Sequence, residues 1–222
     1  MNGEEEYVDV CPILFQSPVT LAIFGATLSG KTMWCKRLLE QANKMFTQDV
    51  HQIIYCYGMY QPLFENLNTN LENFTLHSGL PTLKMIEDFT TDRKHTVIVL
   101  DDLQQEMCTN PVIEKLFTQL AHHLNISVIF MGNNLFQKNF SRTITVNVHV
   151  MILFKNARDS QQIRCLARQL YPKNSEEFLF AYNDCTSKPW GYLVVDLSPR
   201  ADESLRLRTN IFQGEDPIIY KL

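Results

Sequence analysis

No apolar run in the 222 residues approaches the roughly 18 that a membrane-spanning helix needs, so nothing in the sequence reads as a span. The start, Met1-Asn2-Gly3-Glu4-Glu5-Glu6, is acidic and has no signal-peptide core, and the expectation is a protein that is not secreted. The six cysteines, at 11, 35, 56, 108, 165 and 185, form no C-x-x-C pair. That spacing offers neither a zinc knuckle nor a redox motif, and the expectation is reduced, mostly buried thiols in a cytosolic or nuclear protein. Three N-x-[ST] triplets, at Asn73, Asn125 and Asn139, then read as chance. An excess of basic charge is also missing. The net charge is −4, which argues against a globally basic nucleic-acid binder. Residues 151–210 hold nine Lys/Arg against seven Asp/Glu, a surplus that fits either mixed solvated faces or a local basic surface. No internal repeat and no long low-complexity tract is present. His122-His123 lack further residues at metal-ligand spacing and read as a helix end.

What is present is a complete G-x-x-x-x-G-K-[ST] pattern, Gly25-Ala26-Thr27-Leu28-Ser29-Gly30-Lys31-Thr32. By composition alone it would occur in about one chain per hundred of this length, so its setting decides. The apolar run Val19-Thr20-Leu21-Ala22-Ile23-Phe24 precedes it and a helical stretch, Met33 to Met45, follows. Strand, tight loop and helix N-terminus together make a phosphate loop rather than an ordinary Gly-rich turn. Backbone N–H groups and the helix dipole converge on an anion there. Lys31 is expected to reach the β- and γ-phosphates and Thr32 to ligate Mg²⁺, with ATP as the nucleotide.

The second half of the site lies downstream. His95-Thr96-Val97-Ile98-Val99-Leu100 is a β-rich run that ends in Asp101-Asp102. In phosphate-loop proteins such a Walker B strand delivers an Asp to the Mg²⁺ shell at its C-terminal tip, a role that falls to Asp101. Asp102 would orient and deprotonate the attacking water. A turn or helix cap is the bland alternative for two aspartates, and the upstream loop weighs against it.

The remaining pattern is one of alternating elements. Strands are expected at 52–57, near 74–76, and at 126–131, 146–154, 192–197 and 205–212. Helices are expected near 83–89, from Pro111 to His122-His123, and at 160–170 and 175–182, with a short one after residue 60. Residues 1–18 read as an irregular arm and 19–222 as a single domain, with a C-terminal α/β extension from about 159. Trp190, after Pro189, reads as a packed turn, and Phe178, Phe180 and Tyr182 as core or subunit packing. This order predicts an α/β fold, a mainly parallel sheet with helices on both faces. Additional strand sequence lies between the loop helix and the Walker B strand. That marks the ASCE class, in which a strand is inserted between the first strand and the Walker B strand.

Four further stretches carry a family resemblance. They are Ile126-Ser127-Val128-Ile129-Phe130-Met131-Gly132-Asn133-Asn134-Leu135-Phe136, then Ser141-Arg142-Thr143-Ile144, then Leu153-Phe154-Lys155-Asn156-Ala157-Arg158-Asp159 with Leu166-Ala167-Arg168-Gln169-Leu170-Tyr171-Pro172. With the Walker segments they resemble the FtsK–HerA-type genome-packaging ATPases of double-stranded DNA viruses, most closely those of Polinton and adintovirus elements. The resemblance covers roughly residues 18–200. It implies a RecA-like phosphate-loop NTPase that forms a homo-oligomeric ring and drives double-stranded DNA into a capsid. Viral capsid or portal proteins would be its partners, in the host nucleus or cytoplasm and on the virion during assembly, with no membrane.

The departures from that family are specific. Its usual Thr-Gln-Asn strand end is Gly132-Asn133-Asn134 here, so the γ-phosphate-sensing amide falls on Asn133, one methylene shorter, and Gly132 is expected to loosen the backbone. Asp102 stands where hydrolysing relatives usually carry Glu. The family's conserved Arg falls on Arg142, for which a trans-acting finger and a surface salt bridge are both open. Arg158 and Arg168 are weaker candidates for contacts between subunits or with DNA. The alternatives are a virus-derived nucleotide-binding scaffold or switch with little hydrolysis, and a nucleotide or nucleoside kinase. The kinase is disfavoured by the inserted strand and the lack of an Arg-rich lid.

Overall fold

The computed structural model describes residues 14–135, 142–158 and 160–221. Most of the N-terminal arm with Cys11, and Phe136, Asn139, Ser141 and Asp159 of the motifs above, lie outside the described residues.

The chain alternates strand and helix from the start. β1 (Thr20–Phe24) leads through the Gly-rich loop into α1 (Lys31–Glu40) and α2 (Ala42–Met45). β2 (Gln52–Tyr57), α3 (Leu63–Asn70), β3 (Phe74–Ser78) and α4 (Leu83–Phe89) follow. β4 (Thr96–Asp101) precedes α5 (Gln104–Met107), α6 (Pro111–Lys115), a π-helical turn (Leu116–Leu120) and α7 (Ala121–His123). β5 (Ile126–Gly132), α8 (Arg142–Val146), β6 (Val150–Phe154), α9 (Ser160–Leu170) and α10 (Ser175–Cys185) come next. β7 (Tyr192–Asp196), β8 (Leu207–Thr209) and β9 (Ile218–Tyr220) complete the sheet.

Among the described residues nine strands form one sheet in the order β3-β2-β4-β5-β1-β6-β7-β8-β9. The first six in that row are parallel; β7, β8 and β9 add antiparallel pairs. The parallel strands need helical crossovers, which cover both faces, so β1, β4, β5 and β6 are buried throughout. Period-two alternation then splits each strand between two cores. Ala22, Ile98 and Val128 pack with Ile113, Leu166 and Phe178 on one face. Leu21, Val97 and Ile129 pack with Leu38, Phe64 and Met45 on the other.

The strand inserted between β1 and the Walker B strand β4 is β5, which comes later in the chain. The intervening β2 and β3 lie beyond β4. The expected class is right, but the strand that makes it so is not one of those that precede β4.

Several local expectations are corrected. Residues 146–148 are not strand: Arg142–Val146 is helical, Asn147 and Val148 close its last turn, and β6 starts at Val150. Thr143, Thr145 and Val146 favour strand by type, but only Ile144 of this stretch is buried, one anchor that a single turn can present. The helix after Pro111 contains the π-helical turn; Asn110 caps its start, accepting from the Val112 and Ile113 amides. β8 is only three residues, preceded by a 3₁₀ turn, and β9, absent from the expected strands, pairs with it although Ile218 and Ile219 are exposed. Phe180 is exposed, unlike buried Phe178 and Tyr182. Of the described cysteines, all free, Cys35 and Cys56 are buried while Cys165 is exposed.

The antiparallel extension contains a buried ion pair. Arg208 of β8, 2% exposed, places Nη2 3.0 Å from Oδ2 of Asp196 on β7. Removing one partner of such a pair strands the other charge in the core. Asp196→Ala is expected to cost about 3–5 kcal/mol of stability, read as a lowered midpoint in urea unfolding. A midpoint unchanged from wild type would show that the pair contributes nothing.

Candidate active site

The register of three strands assembles the site. Phe24 stands opposite Gly132, and Asp101 opposite Met131. The loop leaving β1, the carboxylates ending β4 and the amide following β5 therefore lie in one row at the C-terminal edge of the parallel sheet. In open α/β sheets this edge is where ligands bind.

The loop geometry explains its glycines. Gly30 has φ +109°, the left-handed region that side chains disfavour. A Cβ on Gly25 would come within 2.6 Å of Phe154 Cβ and Ser29 Oγ, so β6 and the loop close on it from both sides. Leu28, at φ 65°, is 92% exposed at the loop's tip.

Lys31, the first residue of α1, turns back into the loop. Its ammonium donates to the Gly25 and Ala26 carbonyls, each at 2.9 Å, and to Asn133 Oδ1 at 2.8 Å. All three donors thus rest on oxygens beside the loop, an arrangement that phosphate oxygens can take over. Burial pushes the Lys31 pKa down, opposed by the Asp101 and Asp102 charges.

Asp101 is 6% exposed and accepts a hydrogen bond from Tyr55 Oη at 2.8 Å to Oδ2. Burial raises its pKa above the usual carboxylate range; the Tyr55 hydroxyl opposes this, Asp102 adds to it and Lys31 opposes it. The same environment pushes the Tyr55 phenol well up, so Tyr55 remains a donor. One carboxylate oxygen is thereby oriented and the other left for a cation. A cleft of about 600 Å³ is lined by Thr32, Asp101, Asp102 and Asn133 with Lys31. Mg²⁺ suits this donor set, since it binds through one or two protein oxygens, phosphates and retained waters. Thr32 and Asp101 would hold it, and it would neutralise charge on the β- and γ-phosphates. Among the described residues no cluster of three His, Cys, Asp or Glu could hold a metal without a substrate.

Asp102 is exposed, with φ 54°, and its carbonyl lies against Gly58, where a Cβ would be 2.4 Å away. A non-glycine residue in that region carries local strain, of a kind that clusters at active sites.

The structure also corrects the reading of Gly132. It is the buried last residue of β5 and does not loosen the strand. Its missing side chain makes room for Gln104, whose Oε1 lies 2.8 Å from where a Cβ would stand. Gln104 Nε2 donates to the Asn134 carbonyl at 2.7 Å, and Gln104 lines the cleft. A full-length amide thus reaches this row from the Walker B side. Sequence reasoning missed Gln104 and Tyr55. The only available signal was a glutamine two residues after the carboxylate pair.

Arg142 opens α8 and is exposed, outside the residues that line this cleft. Arg158 lines a neighbouring cleft of about 460 Å³ beside Thr27 and Leu28, and Arg168 is exposed on α9. Trp190 is not packed. It is 74% exposed, with φ 62°, and lines the cleft beside the loop.

Comparisons with known proteins fit this architecture. The family model of the AAA domain matches residues 17–140. No curated protein matches the sequence. Among solved structures, B204, the DNA-packaging ATPase of Sulfolobus turreted icosahedral virus, superposes with a TM-score of 0.60 at 11% identity, covering 93% of this chain and 98% of that one. The B204 genome-packaging NTPase of Sulfolobus turreted icosahedral virus 2, in complex with ATP-γ-S, gives 0.56 at 12% identity over 92% and 97%. The cytoplasmic domain of the type VII secretion ATPase EccC of Thermomonospora curvata gives 0.54 at 12% identity, covering 91% of this chain but 25% of that one. At these identities the likeness is one of fold.

The burial of Asp101 has a measurable consequence. A carboxyl with a raised folded pKa binds its proton more tightly folded than unfolded. Its contribution to stability therefore falls as pH rises from the unfolded value to the raised one. Without nucleotide, Asp101→Asn is expected to melt above wild type near neutral pH, the gap shrinking as pH is lowered toward 4. Thermal melts across that range check it, and a gap that widens on acidification contradicts the assignment.

Proposed function

The chain belongs to the AAA-domain family, and from that premise we propose that it is an Mg²⁺-dependent ATPase that drives double-stranded DNA into a viral capsid. The observation that carries the reading is the convergence of Lys31, Asp101, Asp102 and Asn133 on one cleft. The fold shared with B204 over 93% of this chain supports the packaging role. The motifs at 126–172 add the finer kinship with Polinton and adintovirus elements, and with it a place in the infected or host cell and on the assembling virion.

The chemistry follows from the geometry. Loop amides and Lys31 would hold the β- and γ-phosphates, and Thr32 and Asp101 would hold the metal. Asp102 takes the proton from the attacking water while Asn133 and Gln104 supply amides beside it. Asn133 already bonds Lys31, so a γ-phosphate entering there changes the partners of both side chains. Transition-state charge is completed by Arg142 of a neighbouring subunit in a homo-oligomeric ring. Capsid or portal proteins are the partners outside the ring.

One observation favours a second reading, a nucleotide-dependent scaffold with slow turnover. Asp102 is short and held in a strained conformation. ATPase assays with and without double-stranded DNA separate the two readings: stimulation supports the motor, and tight nucleotide binding without turnover supports the scaffold.

Lys31→Ala is expected to lower turnover by on the order of 10²–10³, the loss typical of removing one preorganised donor. Asp102→Asn is expected to keep nucleotide binding and stop hydrolysis. Arg142→Ala is expected to keep affinity and lose about 10³–10⁵ in rate, partly recovered by mixing with Asp102→Asn subunits. Steady-state assays on single and mixed variants check this. Full activity in Arg142→Ala would leave that residue a structural one.

A further inference from the structure

Trp190 lies in the turn Lys188-Pro189-Trp190-Gly191, between α10 and β7. The Gly191 amide donates to the Lys188 carbonyl at 3.2 Å. Pro189 at the second position and φ 62° at Trp190 give the type II pattern, whose third position normally takes Gly or Asn. A bulky aromatic there costs backbone strain, and its side chain gains little burial in return. The fold nevertheless sets this indole against the phosphate loop: Trp190 Cδ1 lies 3.1 Å from where a Gly30 Cβ would stand.

Around it the surface is unusually apolar for the mouth of a phosphate site. Leu28, Met33 and Trp190 are all exposed, and all three line the 600 Å³ cleft. Exposed apolar residues gathered on a cleft wall mark a place where something binds. The γ-phosphate end of that cleft is fixed by Asp101, Asp102 and Asn133. Gly30, Met33 and Trp190 also line a second, larger cleft of about 1010 Å³, whose walls include Arg37 and Tyr192. A nucleotide whose phosphates follow the loop amides has its base at the end remote from the carboxylates.

We propose that Trp190 is the stacking platform for the base of the bound nucleotide, with Met33 as the apolar contact beside it. This rests on the phosphate-loop reading above. Stacking on an indole face suits any base, so the platform contributes affinity for the nucleoside and little choice among bases.

Isothermal titration with ADP and with inorganic tripolyphosphate tests it on wild type, Trp190→Ala and Trp190→Phe. Trp190→Ala is expected to weaken ADP by about 5- to 100-fold while tripolyphosphate affinity stays within about twofold. Trp190→Phe is expected to keep most of the ADP affinity, which separates loss of the ring from loss of the turn. The chain has two tryptophans and Trp34 is buried, so ADP should shield wild-type fluorescence from acrylamide and tripolyphosphate should not. Unchanged ADP affinity in Trp190→Ala overturns the platform and leaves the exposed indole to a protein or DNA surface. Equal weakening of ADP and tripolyphosphate also overturns it, since the residue would then only shape the loop. Wild type binding neither ligand overturns the phosphate-loop reading and the platform together.

Discussion

Parallel pairing of β4, β5 and β1 in one register is the constraint on which the site depends. Because those strands run the same way, their C-terminal tips share an edge, and three segments remote in sequence end side by side. Gly25, Asp101 and Asn133 become neighbours because β1 and β4 both pair with β5. Sliding one strand by a residue would also turn its side chains to the opposite core. Packing on both faces of the sheet therefore guards the geometry of the site as well as the stability of the fold.

The same burial governs the electrostatics. Asp101 and Lys31 are held where water is scarce, so each is pushed toward its neutral form. Tyr55 and Lys31 compensate in part at Asp101, and the two aspartates in part at Lys31, and a nucleotide with its metal would complete the compensation. A site with incompletely balanced charge gives up stability in the free protein and recovers it on binding. The strained backbone at Asp102 lies in the same row. At the distant end of the sheet, the Arg208–Asp196 pair is closed within the fold and needs no ligand.

Departures from the expected pattern look different once packing is visible. Gly132 reads in sequence as a loosened strand end. In space it is the socket for Gln104, which brings a longer amide than Asn133 to the same row. Trp190 follows a proline and reads as a packed turn, but α10 and β7 hold it out beside the loop. Thr143, Thr145 and Val146 favour strand by type, yet Arg142–Val146 is a helical turn anchored by the buried Ile144. In each case a side chain's role is set by what lies across from it, which no local window contains.

The parts whose signals are local can be read from the order of the residues. The phosphate loop is a contiguous pattern because its amides must curl around one anion. The Walker B strand is legible because a strand buried on both faces must be apolar along its length and can end in carboxylates only at its tip. Alternating strands and helices imply the parallel α/β class, since parallel strands require crossovers. Tertiary structure alone decided that β5 is the inserted strand, that Tyr55 orients Asp101, that Gln104 faces Gly132 and that Trp190 borders the loop. Those relations join residues tens of positions apart, and they exist only because a sheet brings distant strand ends to one edge.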